Sequence, residues 1–188
     1  LQFTENTPPT FGRLTHTPII PVSGQDVTVT VAAHDPDSIA TATVYSRIEG
    51  GDWETAPMTI ENGVLQGILP SKGGAKPIQF YVEAADTLGM TSTVPTLGPN
   101  SRALLRRPSL FGDTGGGGDV DDFRVLMFAA DAEALHARGI NTLSNERLGC
   151  TVVHDGVAYY DASIRLKGSF VGRDADRVGF NIRFPSDQ

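Results

Sequence analysis

The residues best equipped for chemistry lie in one stretch of the chain: Ile164-Arg165-Leu166-Lys167-Gly168-Ser169-Phe170-Val171-Gly172-Arg173, followed by Arg177-Val178-Gly179-Phe180-Asn181-Ile182-Arg183-Phe184. The pattern is a strand, a loop of glycine, serine and basic residues, and a second strand. Glycine lets backbone approach a ligand closely and permits turns whose N–H groups form anion-binding nests. Arginine adds planar, two-pronged recognition of an oxyanion. Lys167, Gly168, Ser169, Arg173 and Arg177 are therefore the candidate phosphate-binding residues. The competing reading is a solvated hairpin face. Residues 163–183 carry five basic and two acidic side chains, and charged side chains stay exposed whether or not they bind anything.

The remaining reactive residue types do not assemble into a catalytic pattern. Cys150 is the only cysteine, so no intrachain disulfide can form, and its expected role is that of a small buried apolar residue. The one base near it in sequence, His154, falls on the same strand. His16, His34, His136 and His154 are scattered without zinc-ligand spacing and read as surface or turn residues. Asp113, Asp119, Asp121 and Asp122 flank a run of glycines but lack the alternating oxygen ligands and terminal Glu of a calcium loop. Ser109, Ser144 and Ser169 have no Gly-x-Ser-x-Gly context. No catalytic residue and no metal site is assigned.

The elements that must hold these residues are mostly strands. Between residues 17 and 107, short alternating or β-branched runs such as Val27-Thr28-Val29-Thr30-Val31 and Ile78-Gln79-Phe80-Tyr81-Val82 are separated by Asp35-Pro36-Asp37, Gly50-Gly51-Asp52, Glu61-Asn62-Gly63 and Ser71-Lys72-Gly73-Gly74. A half-buried antiparallel sheet needs a second sheet over its apolar face, so about seven such strands imply a β-sandwich. Val27, Val29, Val31, Ile78, Phe80 and Val82 should point inward, and Trp53, Phe80 and Tyr81 are candidate anchors. Without a disulfide, the fibronectin III style of immunoglobulin-like sandwich is favoured. Residues 1–16 read as an N-terminal extension and residues 108–120 as a glycine-rich linker.

From residue 121 the pattern changes. Phe123 to Ala129 reads as a strand and Asp131 to Arg138 as a short helix ended by Gly139. Thr151 to His154 then turns through Asp155-Gly156 into Val157 to Tyr160 and the strand Ala162 to Lys167. A last strand puts Val178, Phe180, Ile182 and Phe184 on one face and Arg177, Asn181 and Arg183 on the other. That aromatic face needs a cover, expected from sequence after Gln188.

Charge and hydropathy bound the function class. A net charge of −7 is spread along the chain, with 7 basic and 10 acidic residues up to position 110 and 8 and 12 beyond it, which disfavours nucleic-acid binding. No apolar run approaches the roughly 20 residues of a membrane span. The chain opens on Leu1 and closes on Gln188 straight after strand-like sequence, so both ends read as cut and the chain as a fragment.

In order along the chain, Leu143-Ser144-Asn145-Glu146-Arg147-Leu148, Thr151-Val152-Val153, Tyr159-Tyr160-Asp161 and Arg165-Leu166-Lys167-Gly168-Ser169 resemble the start of the CotH kinase-like family. The Gln79-Phe80-Tyr81-Val82-Glu83-Ala84 strand and the Gly98-Pro99-Asn100-Ser101-Arg102-Ala103-Leu104 exit are similar to the sandwich that precedes this domain in exported bacterial proteins. The resemblance implies a mainly β fold: an immunoglobulin- or fibronectin III-like sandwich, then residues 121–188 as a truncated α+β kinase-like N-terminal lobe. It implies a secreted or cell-surface atypical protein kinase as parent, using ATP and Mg²⁺ on a protein substrate. Lys167 to Arg173 would be the glycine-serine turn of its nucleotide-binding lobe, although the family more often reads Gly-Asn-Ser-Ser-Arg there. The groups that hold metal and orient the nucleophile lie further on in the family, so this chain alone is expected to bind no cofactor and be inactive. The alternative is a non-catalytic surface adhesion or spacer module.

Overall fold

A computed structural model describes residues 6–70, 76–107, 123–137, 144–173 and 178–186. The fold is mainly β. One sandwich sheet runs β1 (Thr10–Phe11), β3 (Val27–His34), β7 (Val64–Leu69), β6 (Thr59–Glu61), with β2 (Thr15–Thr17) also on β3. The facing sheet runs β10 (Leu104–Leu105), β8 (Ile78–Asp86), β4 (Ile39–Ile48), β5 (Glu54–Pro57), with β9 (Thr91–Val94) on β8. All the pairings are antiparallel. A third sheet orders β11 (Phe123–Leu126), β12 (Leu148–His154), β13 (Val157–Lys167) and β14 (Gly179–Arg183), with helix α1 (Ala129–His136) between β11 and β12.

Alternation decides the sandwich core as the sequence predicts. Val27, Val29, Val31, Ile78, Phe80 and Val82 are all buried. Of the expected anchors only Phe80 enters this core. Tyr81 stacks on Tyr45 across the sheet, with ring centroids 4.6 Å apart, and meets Trp53 edge-on at 5.0 Å, so these rings cover the outer face. Successive residues of a strand point to opposite faces, and Phe80 and Tyr81 cannot both point inward.

Sheet pairing starts earlier than position 17. β1 and β2 lie in succession along β3, from Thr10↔His34 to Thr17↔Thr28, and the three residues between them oppose two on β3. Gly12 sits in that bulge, where a Cβ would stand 3.4 Å from the Cβ of Ala32. Part of the expected extension is thus an edge of the sandwich. Gly67 has a packing reason: a Cβ there would lie 2.9 Å from Met58 Cγ and 3.0 Å from Val44 Cγ1. Gly67→Ala should destabilise the chain by about 1 to 2 kcal/mol through overpacking. Urea unfolding would show it as a lowered midpoint, and an unchanged or raised midpoint would contradict it.

The third sheet does not stand apart. Cys150 pairs with Ala162 and Val152 with Tyr159, so Thr151 faces two residues, Tyr160 and Asp161. Asp161 takes φ 51° at this bulge. The extra residue splits β13 between the two sides of its sheet. Ala158 and Tyr160, with Val153, join the sandwich core, while Ala162, Ile164 and Leu166 join Cys150, Val152 and Leu135 of α1 in a second cluster. One face of the sheet is therefore covered by the sandwich itself, and it is not the aromatic face for which a cover is expected. On the other face Val178 and Ile182 are half-buried, and Phe180 and Phe184 remain 41% and 42% exposed. The helix begins at Ala129, two residues before the expected start, with the amide of Ala129 donating to Glu49 Oε1 at 2.6 Å.

Candidate functional site: the glycine-serine turn and a buried polar joint

The β13–β14 pairing runs from Ser163↔Arg183 to Lys167↔Gly179, which places the candidate turn at the end of this hairpin. Gly168 adopts φ 108°, a conformation that L side chains rarely take, so the turn needs glycine for its backbone. A one-turn helix, α2 (Phe170–Arg173), follows. Lys167 and Ser169 are exposed beside it.

Arg173 turns back into the protein. Its Nε donates to Gly168 O at 2.8 Å, Nη1 to Ser144 O at 2.8 Å and Nη2 to Asn145 Oδ1 at 2.7 Å. Arg165 donates to the same Asn145 oxygen at 2.8 Å. Next to it Arg147 donates to Ser163 O at 3.3 Å and to Asn181 Oδ1. Three arginines thus tie the 144–147 segment to the hairpin through neutral oxygens. Arg177 lies outside the described residues. Of the five candidates, Arg173 is joined to Gly168 through its side chain and to Ser169 through its backbone N–H, which donates to Ser169 O at 3.0 Å, while Lys167 and Ser169 form an exposed lip.

ATP and Mg²⁺ do not fit this donor set by itself. A phosphate would have to displace the neutral acceptors of Arg173, and lysine and arginine are not equivalent at a shaped anion site. Among the described residues no group of three or more His, Cys, Asp or Glu side chains could hold a metal. Asp113, Asp119, Asp121 and Asp122 lie outside those residues. Cys150 is fully buried, and burial pushes its thiol up to about 12, so it is inert as a nucleophile near neutral pH. His154 pairs with Val157 at the far end of β12 and contacts Phe123 and Asp155 instead.

Toward the other end of β13 is a buried polar joint that the sequence did not announce. His16, expected at the surface, is 1% exposed, because alternation along β2 turns Thr15 and Thr17 outward and the imidazole inward. Its Nε2 donates to Ile19 O at 3.1 Å, since a carbonyl can only accept. Nδ1 is then the acceptor for the Tyr160 hydroxyl. Phe80 packs edge-on against both rings, at 5.7 Å from His16 and 5.5 Å from Tyr160. Burial lowers the His16 pKa to about 4, the Ile19 hydrogen bond opposing it, and pushes the Tyr160 phenol well above its ordinary value.

Arg102 is the second half of the joint. Its backbone N–H donates to Asp161 Oδ1, and its carbonyl accepts from the Thr151 hydroxyl, which itself accepts from Leu104 N at 2.8 Å. Its guanidinium pairs with Asp131 of α1 at 3.4 Å and lies over the Phe128 ring at 4.6 Å. Gly149 makes room for its stem, as a Cβ there would stand 2.6 Å from Arg102 Cγ. Gln79 pins the strand that carries Arg102, donating to Pro99 O at 3.0 Å and Ser101 O at 2.6 Å. The only sequence signal for this network is the polar Ser101-Arg102 pair ahead of an apolar run.

No family model matches this chain, and no curated protein matches it. Among solved structures, a bromine derivative of BhCBM56 aligns with 44% of this chain and 92% of its own, at 18% identity and a TM-score of 0.32. A cycloalternan-degrading enzyme from Trueperella pyogenes aligns with 80% of this chain at 12% identity and a TM-score of 0.34. The match spans 17% of that enzyme's length. Scores of this size do not define a common fold. What the structure itself defines is a β-sandwich with a four-stranded antiparallel sheet docked on it.

Proposed function

We propose that this chain is the immunoglobulin- or fibronectin-like sandwich and opening sheet of an exported CotH-like atypical protein kinase, in which it acts as a docked platform rather than as the catalytic part. The observation that supports this reading is the order of elements in residues 148–183. A three-stranded antiparallel ladder carries a glycine-serine turn between its second and third strands, in the sequence order that the family resemblance implies. The joint through His16, Tyr160, Arg102 and Asp161 gives the platform its function: it fixes the hairpin to the sandwich. ATP, Mg²⁺, a protein substrate and a secreted or cell-surface location belong to the parent in this reading. Among the described residues, no helix is long and apolar enough to cross a membrane.

A non-catalytic surface adhesion or spacer module is the second reading. It is favoured by the commitment of Arg173 to three oxygens of its own chain. The test is transfer of γ-labelled phosphate from Mg-ATP to a protein substrate or to the chain itself, measured for the 188-residue chain and for the complete gene product. The expected result is transfer by the complete product and none by the 188-residue chain. An inert complete product would sink the kinase reading and leave the surface module.

A further inference from the structure

An open cleft of about 740 Å³ lies beside α1, where the third sheet meets the end of the sandwich. Its floor is the sheet face turned away from the sandwich, with Val125, Ile164 and Ile182 contributed by three strands, and Phe180 at its margin. Helix α1 is too short to close it. Leu135 is its one buried residue, and Phe123 and Phe180 remain 45% and 41% exposed at the mouth.

The charge at the rim follows from strand register. Ile48, Ile78 and Leu105 form one rung across β4, β8 and β10, so the next residues, Glu49, Pro77 and Arg106, meet at the end of that sheet, with Lys76 beside them. The Glu49 amide donates to Pro77 O at 2.9 Å, which holds this end together. The Glu49 carboxylate is taken up by the first amide of α1, a favourable place for an anion. Lys76 and Arg106 are both exposed, and neither pairs with a carboxylate among the described residues. In a chain of net charge −7, an apolar cleft that sets Lys76 and Arg106 against the single carboxylate of Glu49 reverses the prevailing sign locally.

We infer that this cleft binds an amphiphilic organic anion, a small molecule with an apolar chain or ring system and one terminal carboxylate. The apolar body lies along Val125, Ile164, Phe180 and Ile182, where its removal from water drives binding, and the carboxylate accepts charge-assisted hydrogen bonds from Lys76 and Arg106. The cleft has the size of a small-molecule site, for which the usual range is about 300 to 1,000 Å³. A cationic head would be repelled by the two rim cations, and an uncharged one would gain nothing from them. This site is independent of the kinase reading, since its cations come from the sandwich.

The test is calorimetric titration of the 188-residue chain with dodecanoate and with dodecyltrimethylammonium, both below their micellar concentrations. Dodecanoate should bind saturably at one site, about tenfold or more tighter than the cation of equal chain length. Lys76→Gln combined with Arg106→Gln should abolish that preference. Phe180→Ser should weaken both ligands alike. All three positions are exposed, and circular dichroism checks that the variants fold. Absence of saturable dodecanoate binding, equal affinity for the two amphiphiles, or a preference that survives the double substitution would each overturn the assignment.

Discussion

Replacing Tyr160 by Ala is expected to lower the stability of the whole chain by about 3 to 5 kcal/mol, the range found for emptying a buried aromatic site. Tyr160 is 1% exposed, and its ring fills the space between β13, Phe80 of the sandwich core and His16 of the edge strand. The substitution opens a cavity on both sides of the joint and leaves His16 Nδ1 without its donor. Domains of this size have only about 5 to 15 kcal/mol to lose, so the effect is a large fraction of the total. Tyr160→Phe separates the two contributions, keeping the ring and removing only the hydroxyl, at about 1 to 3 kcal/mol for a buried acceptor left unsatisfied. The readouts are guanidinium unfolding and amide exchange in β3 and β13. If the sandwich and the third sheet were independent, Tyr160→Ala would leave exchange in β3 untouched. That result would refute the shared core.

The shared core also marks the limit of what local pattern can reveal. The strands of the sandwich were legible because Val27, Val29 and Val31 alternate with threonines, and Ile78, Phe80 and Val82 alternate with Gln79 and Tyr81 on their own strand. The hairpin at Asp155-Gly156 was legible because both residues take positive φ, 49° and 71°, as such a two-residue turn requires. Asp161 carries no comparable signal. Its φ of 51° is imposed by the bulge, and that single residue decides that Tyr160 faces the sandwich while Ala162 and Ile164 face α1. His16 was hidden for another reason. Thr15-His16-Thr17 is polar throughout, and its inward face becomes visible only when Val29 is set opposite the histidine. At the candidate turn, the need for glycine at position 168 was readable from the residue itself. The direction of Arg173 was not, because two of its three acceptors lie 28 and 29 positions upstream, at Asn145 and Ser144.

Acid should loosen the same joint, and His16 sets the range. A histidine in the unfolded chain takes up its proton near pH 6.5, whereas burial holds His16 neutral until about pH 4 in the folded chain. Between those values the unfolded state binds more protons, so stability rises with pH across this window and is lost as pH falls through it. The contribution is complete above about pH 6.5 and shrinks by about 3 kcal/mol by pH 4. Desolvation is the larger cause of the lowered value, and the hydrogen bond to Ile19 O opposes it. Carboxylates elsewhere add their own acid dependence, and His16→Gln isolates the histidine. That variant is less stable at pH 7 but should lose about 2 to 3 kcal/mol less than the parent between pH 7 and pH 4.5. Urea unfolding at the two pH values measures the difference. Equal losses in the two proteins would mean that His16 is protonated without cost, and that the two halves are not held together by a neutral imidazole.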